Sequence, residues 1–164
     1  MVGRSMEETM DYVAIVRLQR AYADVVNRRE WAELHQIFTP DATVDLELVT
    51  RPPLHMVGPE ALGEFVGPAI ERFDFFEFVV LNTHVELWPE GDRTAARARV
   101  FMCELRQPSG QPSGQTERDD AFGLYRDTYA LMDDEWRISA RRYRSLGRFP
   151  SGEILPVGPG DFAF

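Results

Sequence analysis

From residue 76 onward the chain is a succession of long alternating segments separated by tight turns. "FEFVVLNTHVELWPEGDRTAARARVFMCELRQ" reads as two strands around a turn at Pro89–Asp92, where Gly-Asp is a hairpin signal. "AFGLYRDTYALM" is a third strand, and "DDE" turns it into a fourth, "WRISARRYRSL". Side chains at period two line opposite faces, so such runs settle as paired strands and not as helices.

The first half has the other period. Ser5 and Glu8 have capping-box spacing, which predicts a helix starting near Met6. Ile15, Leu18, Tyr22 and Val25 form its apolar stripe, opposite Arg17, Arg20, Asp24 and Arg28, and it should end near Asn27–Arg29. A second helix follows, burying Trp31, Leu34, Ile37 and Phe38 and stopping at Pro40. "ATVDLELV" alternates as a strand, and "TRPPLHMVG" reads as a loop. A third helix starts at Pro59, with Gly67-Pro68 marking an early end or a kink. Helices first and hairpin strands after predict an α+β fold, an antiparallel sheet curling around helices.

The 164 residues suit one domain, expected over 1–147, with a Gly/Pro-rich tail over 148–164. That tail carries Ile154, Leu155, Phe162 and Phe164, which should dock on a groove or a partner subunit. "QPSGQPSGQ" has no apolar residue and reads as a mobile hairpin tip.

All 18 cationic residues are arginine. Without lysine there is no Schiff base and no Walker-type phosphate lysine. The net charge of −9 argues against nucleic acid and against an anionic membrane surface. Cys103 is the single cysteine, so no intrachain disulfide forms. "MVGRSMEETM" has no apolar signal core and no window suits a membrane span, so a cytoplasmic location is the default expectation. His35, His55 and His84 are scattered without metal-ligand spacing, and neither a metal nor a cofactor is expected.

Alternation puts Val100, Met102 and Glu104 on one face of their strand and Tyr125, Asp127 and Tyr129 on one face of the next. If both faces look inward, Glu104, Tyr125 and Asp127 are polar groups among apolar ones. A carboxyl so placed has a raised pKa suited to acid–base work, and Tyr125 could donate to a developing oxyanion. The competing reading is structural pairing of Glu104 and Asp127 with Arg97, Arg99, Arg141 or Arg142.

The order of these segments resembles the NTF2-like superfamily, and more specifically its SnoaL-like branch. That branch includes polyketide cyclases and is similar to scytalone dehydratase. The resemblance is carried by "YADVVNRREWAELHQIFTPDATVDL", "GPEALGEFVG", "NTHVELWPEGDRTAARARV" and "GLYRDTYALMDDEWRISARRY". It implies a cone-shaped half barrel, a curved antiparallel or mixed sheet wrapped around three N-terminal helices, enclosing an apolar pocket. It also implies site positions. The Tyr-Asp pair of dehydratase-like members falls on Val26 and Asn27, their two pocket histidines on Phe78 and near Glu104, an asparagine on Tyr125 and a tyrosine on Leu46. The dehydratase set is therefore not reproduced.

Asn27 stands where the resemblance implies a carboxylate base, a role asparagine cannot fill. Three readings stay open: a left-handed helix cap, a natural change of chemistry, or a substitution introduced for aspartate. The expectation is a cofactor-free dehydratase, isomerase or cyclase acting on a hydrophobic cyclic or polyketide-like molecule. Asn27 would mark the base position, with Tyr125, Asp127 and Glu104 handling oxygen and proton. Tyr22, Val26, Trp31, Leu46, Phe65, Phe78, Met102 and Tyr129 would bind the substrate. The alternatives are a non-catalytic binding protein and a structural subunit like the β subunit of ring-hydroxylating dioxygenases. The fold's open sheet face implies a homodimer or homotrimer.

Overall fold

In a computed structural model of the chain, which describes residues 5–48, 51–112, 114, 117–150, 152 and 158–164, Ser5 caps the first helix. Its hydroxyl accepts the Glu8 N–H at 3.1 Å, satisfying one orphan donor of the first turn. This helix, α1, spans Met6–Arg28 and buries Ile15, Gln19, Tyr22, Val25 and Val26. Its left-handed C-cap is Arg29 (φ 61°), whose N–H meets Val25 and Val26 carbonyls. Asn27 is thus still helical, and the cap reading of Asn27 passes to Arg29.

The expected second helix is a 3₁₀ segment, Trp31–Gln36. Squeezed between the left-handed Arg29 and a strand, six residues close only short-range bonds. Strand β1, Phe38–Glu47, begins before the expected Ala42 and takes in Pro40. Its pairing shifts register between Phe38 and Thr43, and a residue lacking N–H is tolerated in such an irregular start. The presumed loop after it contains β2, Leu54–Val57, antiparallel to β1. Helix α2, Pro59–Glu71, runs through Pro68, whose ring is exposed, instead of stopping there.

Four long strands follow: β3 (Phe73–Leu87), β4 (Ala95–Pro108), β5 (Asp120–Met132) and β6 (Glu135–Phe149). β6 extends past the domain end expected at residue 147. Asp133 and Asp134 have φ of 51° and 62°, as a two-residue type I′ hairpin between β5 and β6 requires. The six strands form one curved, unclosed sheet in the order β2-β1-β6-β5-β4-β3, antiparallel except for the parallel β1–β6 pair. With the helical segments on its concave side, this is the expected α+β cone.

α1 is fastened to the sheet at both ends. Near its start, the Asp11 carboxylate accepts the indole N–H of Trp88 and of Trp136, each at 3.0 Å. Near its end, the Asn27 side-chain amide donates to the Phe78 carbonyl (3.0 Å) and accepts the Phe78 N–H (2.7 Å). Between these points Tyr22 sits edge-on to Phe38, Phe78 and Tyr125, at centroid distances of 5.8, 5.5 and 6.2 Å.

At the far end of the chain, the Phe162 ring lies 6.1 Å from Phe101 on β4, and Arg99 donates to the Phe162 carbonyl. Arg99 also covers the Phe164 ring at 4.9 Å. Phe101 and Arg99 have the parity opposite to Val100 and Met102, so these last residues lie on the outer sheet face, away from the cone interior. Ile154 and Leu155 lie outside the described residues, as do parts of the Gln/Pro/Ser/Gly repeat.

The sheet tolerates one close approach inside the cone. A Cβ added to Gly123 on β5 would overlap the Tyr143 ring of β6. Gly123→Ala should therefore displace Tyr143 and cost about 1–3 kcal/mol, the usual range for overpacking. A urea titration of both proteins checks this, and an unchanged midpoint would contradict the contact.

Candidate active site

Inside the cone lies a cavity of about 160 Å³. Its apolar wall comes from α1 (Tyr22, Val26), β1 (Val44, Leu46), α2 (Leu62, Phe65, Val66, Ile70) and β3 (Phe73, Phe76, Phe78). α2 is present because Leu62, Phe65, Val66, Ala69 and Ile70 recur at helical spacing and present one face inward. The polar wall comes from the long strands: Glu104 and Arg106 on β4, Tyr125 on β5, and Arg141, Tyr143, Ser145 and Arg148 on β6. Arg51 and Arg72 complete the lining.

The deepest polar element is an ion pair. Arg141 and Asp127 are 2 % and 0 % exposed in their side chains. Arg141 Nε donates to Asp127 Oδ1 at 2.8 Å and Nη2 to Oδ2 at 2.7 Å. Tyr129 also donates to Oδ2 at 3.1 Å, and its own oxygen accepts from Gln19 (2.8 Å), whose Oε1 accepts from Thr83 (2.9 Å). The guanidinium carbon lies 4.2 Å from the Tyr22 ring centre and 4.0 Å from that of Tyr125, the two rings standing perpendicular to each other. Burial works against its charge, but Asp127 more than compensates, so Arg141 stays protonated. Its third nitrogen, Nη1, is buried without a hydrogen-bond partner among the described residues. Buried donors are rarely left so, and this one belongs to a residue of the cavity wall.

Glu104 is the carboxylate that reaches the cavity. Its side chain is 26 % exposed, and burial raises its pKa, while Arg106, Arg148 and Arg72 pull the other way. Arg106 Nη1 donates to Oε2 at 3.0 Å; Oε1 accepts nothing from the described residues. Facing it, Tyr125 has its pKa raised well above the phenol range and Tyr143 is raised too, in both cases mainly by burial. Both hydroxyls therefore remain neutral donors. Among the described residues no group of three or more His, Cys, Asp or Glu could hold a metal, and no helix is long and apolar enough to cross a membrane.

The SnoaL-like domain family matches residues 7–142. The chain belongs to that family. Among solved structures, a candidate scytalone dehydratase from Novosphingobium aromaticivorans is similar with a TM-score of 0.72 and 17% identity, covering 87% of this chain and 88% of that one. A protein from Kribbella flavida gives 0.74 at 20% identity, covering 87% and 95%. A hexachlorocyclohexane dehydrochlorinase from Novosphingobium barchaimii gives 0.73 at 19%, covering 94% and 99%. At these identities the likeness shows the fold. No curated protein sequence matches the chain significantly.

Of the positions expected for the SnoaL-like site, Glu104, Tyr125, Tyr22, Val26, Leu46, Phe65 and Phe78 meet at the cavity wall. Five others stand off it. Asp127 lies behind Arg141 with both oxygens bonded, so it orients the arginine. Tyr129 is the next link in that chain of hydrogen bonds. Met102 is buried in the core. Trp31 lies against the small residues Gly63 and Gly67 on the outer side of α2. Asn27 has both side-chain groups bonded to the Phe78 backbone. Sequence reasoning missed Arg141, Tyr143 and Ser145 as wall residues; their alternation with Arg142 and Arg144 was the available signal.

Two substitutions probe these assignments. Asp127→Asn leaves a buried guanidinium without its counter-charge and should cost about 3–5 kcal/mol in chemical denaturation. Asn27→Asp loses a donor and sets a carboxylate against the Phe78 carbonyl. It should cost about 1 kcal/mol at pH 8, and part of this should return at pH 4, where a protonated aspartate again donates. Paired thermal melts at the two pH values read the difference.

Proposed function

We propose that the chain is a small-molecule enzyme of the SnoaL-like type, which moves a proton on a hydrophobic cyclic substrate held in the cone. Dehydration, isomerisation and aldol-type cyclisation share that chemistry. The observation that carries this reading is Glu104 on the cavity wall, with a raised pKa and one oxygen uncommitted, across from neutral tyrosines and an unpartnered arginine N–H. A candidate dehydratase and a dehydrochlorinase among the similar structures support the reaction class.

In a dehydration, ionised Glu104 takes a proton from the carbon beside a carbonyl. The C–H electrons become the new C=C bond of an enolate, and the carbonyl oxygen gathers charge. Arg141 Nη1 and the Tyr125 hydroxyl are the donors available to that oxygen, already oriented by the Asp127 bonds and the adjoining rings. When the enolate collapses, the β C–O bond breaks, and the proton on Glu104 goes to the departing hydroxyl, which leaves as water. A base with a raised pKa loses activity at a higher pH than an ordinary carboxylate would.

A second reading has its own observation. Asn27, at the position where the resemblance implies a base, is committed to the Phe78 backbone. If Glu104 does not act, the cavity is a ligand cage.

Deuterium exchange at the α-carbon of cyclohexanone, followed by NMR, separates the two. The wild type should accelerate exchange, with an acid limb above the usual carboxylate range. Glu104→Gln should lose about 10²–10⁴ of the rate and with it the acid limb. Binding without exchange in either form would leave the cage.

A further inference from the structure

The cavity is apolar in its middle and cationic toward solvent. Arg51, Arg72, Arg106 and Arg148 all line it, and Arg51 and Arg72 are exposed. Arg72 feels the other three: burial is the first cause that lowers its pKa, and repulsion from Arg106, Arg148 and Arg51 follows. Two of the four arginines have carboxylates beside them. Arg106 is held by Glu104 (3.0 Å) and by Asp119 (2.9 Å), and Arg148 lies 3.8 Å from the same Asp119. Among the described residues no carboxylate lies within ion-pair distance of Arg51 or Arg72. Arg51 and Arg72 thus bring positive charge to the cavity without a paired carboxylate among the described residues. In a protein of net charge −9, such an excess is local.

The two ends of the cavity differ in what they can satisfy. At the deep end, Asp127 neutralises Arg141, leaving Nη1, whose N–H groups suit a neutral oxygen acceptor. At the solvent end positive charge is in excess, which suits an anion. Between them are Leu62, Phe65, Phe73 and Phe76. The volume of about 160 Å³ matches a single six-membered ring, since a cavity of about 150 Å³ holds benzene.

We infer that the ligand is a cyclic carboxylic acid, its ring in the apolar middle and its carboxylate at Arg72 and Arg51. The inference rests on the cavity being a ligand site, as proposed above, and narrows its substrate class. The arginines give the ligand an orientation: an acid held at the mouth points the opposite side of its ring at Tyr125 and Arg141, with Glu104, paired to Arg106, along the wall between.

The probes are cyclohexanecarboxylate and its methyl ester, of similar shape and different charge. Binding of each is measured by calorimetry at pH 7.5, in 0.05 M and 0.5 M salt, to the wild type, Arg72→Gln and Arg51→Gln. Both substitutions are at exposed positions, and circular dichroism checks the fold. The acid should bind the wild type at least about tenfold more tightly than the ester. Either substitution should remove most of that advantage, and higher salt should shrink it. Ester binding equal to or tighter than acid binding overturns the inference and leaves the cavity reading intact. An acid preference unchanged in both variants overturns the assignment to the mouth. If neither compound binds, the inference and the ligand-site reading both fall.

Discussion

The buried pair Asp127–Arg141 organises the interior of the cone. Two charges have been taken out of water, and each is satisfied by geometry, with two parallel hydrogen bonds at 2.8 and 2.7 Å. The aromatic rings of Tyr22 and Tyr125 both approach the guanidinium, at 4.2 and 4.0 Å. Gln19 and Thr83 tie the same pair to α1 and β3. A charged group is thereby made part of the core, and its nitrogen Nη1, unbonded among the described residues, is left to donate.

The remaining polar groups of the cavity follow from where each lies along the strands. β4 carries Glu104 and Arg106 on its inner face, two residues apart, so they meet as neighbours. Tyr125 and Tyr143 are cross-strand partners whose rings meet at 5.3 Å, tilted by 51°. Their hydroxyls stay protonated because burial penalises phenolate more than Arg141 helps it at Tyr125, or Ser145, Arg106 and Arg148 help it at Tyr143. The wall therefore presents one carboxyl that can ionise and several donors that do not.

Much of this was legible in the sequence, because period two is hard to disguise. The four long strands, the Asp133-Asp134 turn and the inward parity of Glu104 and Tyr125 could all be read from it. What could not be read is depth. Asp127 and Tyr129 share a face with Tyr125, yet they lie behind the cavity under α1, a distinction that alternation does not carry. Arg141 was hidden for another reason: alternation groups it with Tyr143 and Ser145 against Arg142 and Arg144, but strand pairing is needed to tell which set turns inward. β2 was masked by Pro52 and Pro53, which read as loop although a short strand follows them. Asn27 drew attention through the resemblance, but its partner is a backbone peptide 51 positions away, and no local pattern announces that.

The grip of Asn27 on Phe78 also bears on self-association. β3 ends the sheet, and a fifteen-residue edge is a template on which a strand from another molecule could add. A side-chain amide has the donor and acceptor of a peptide but no chain to extend. By occupying both groups of Phe78, it interrupts the edge, so an added strand cannot pair along its whole length. The opposite edge, β2, is only four residues long and follows two prolines. Both margins of an open sheet are thus blunted, one by brevity and the other by a helix residue that counterfeits a neighbouring strand.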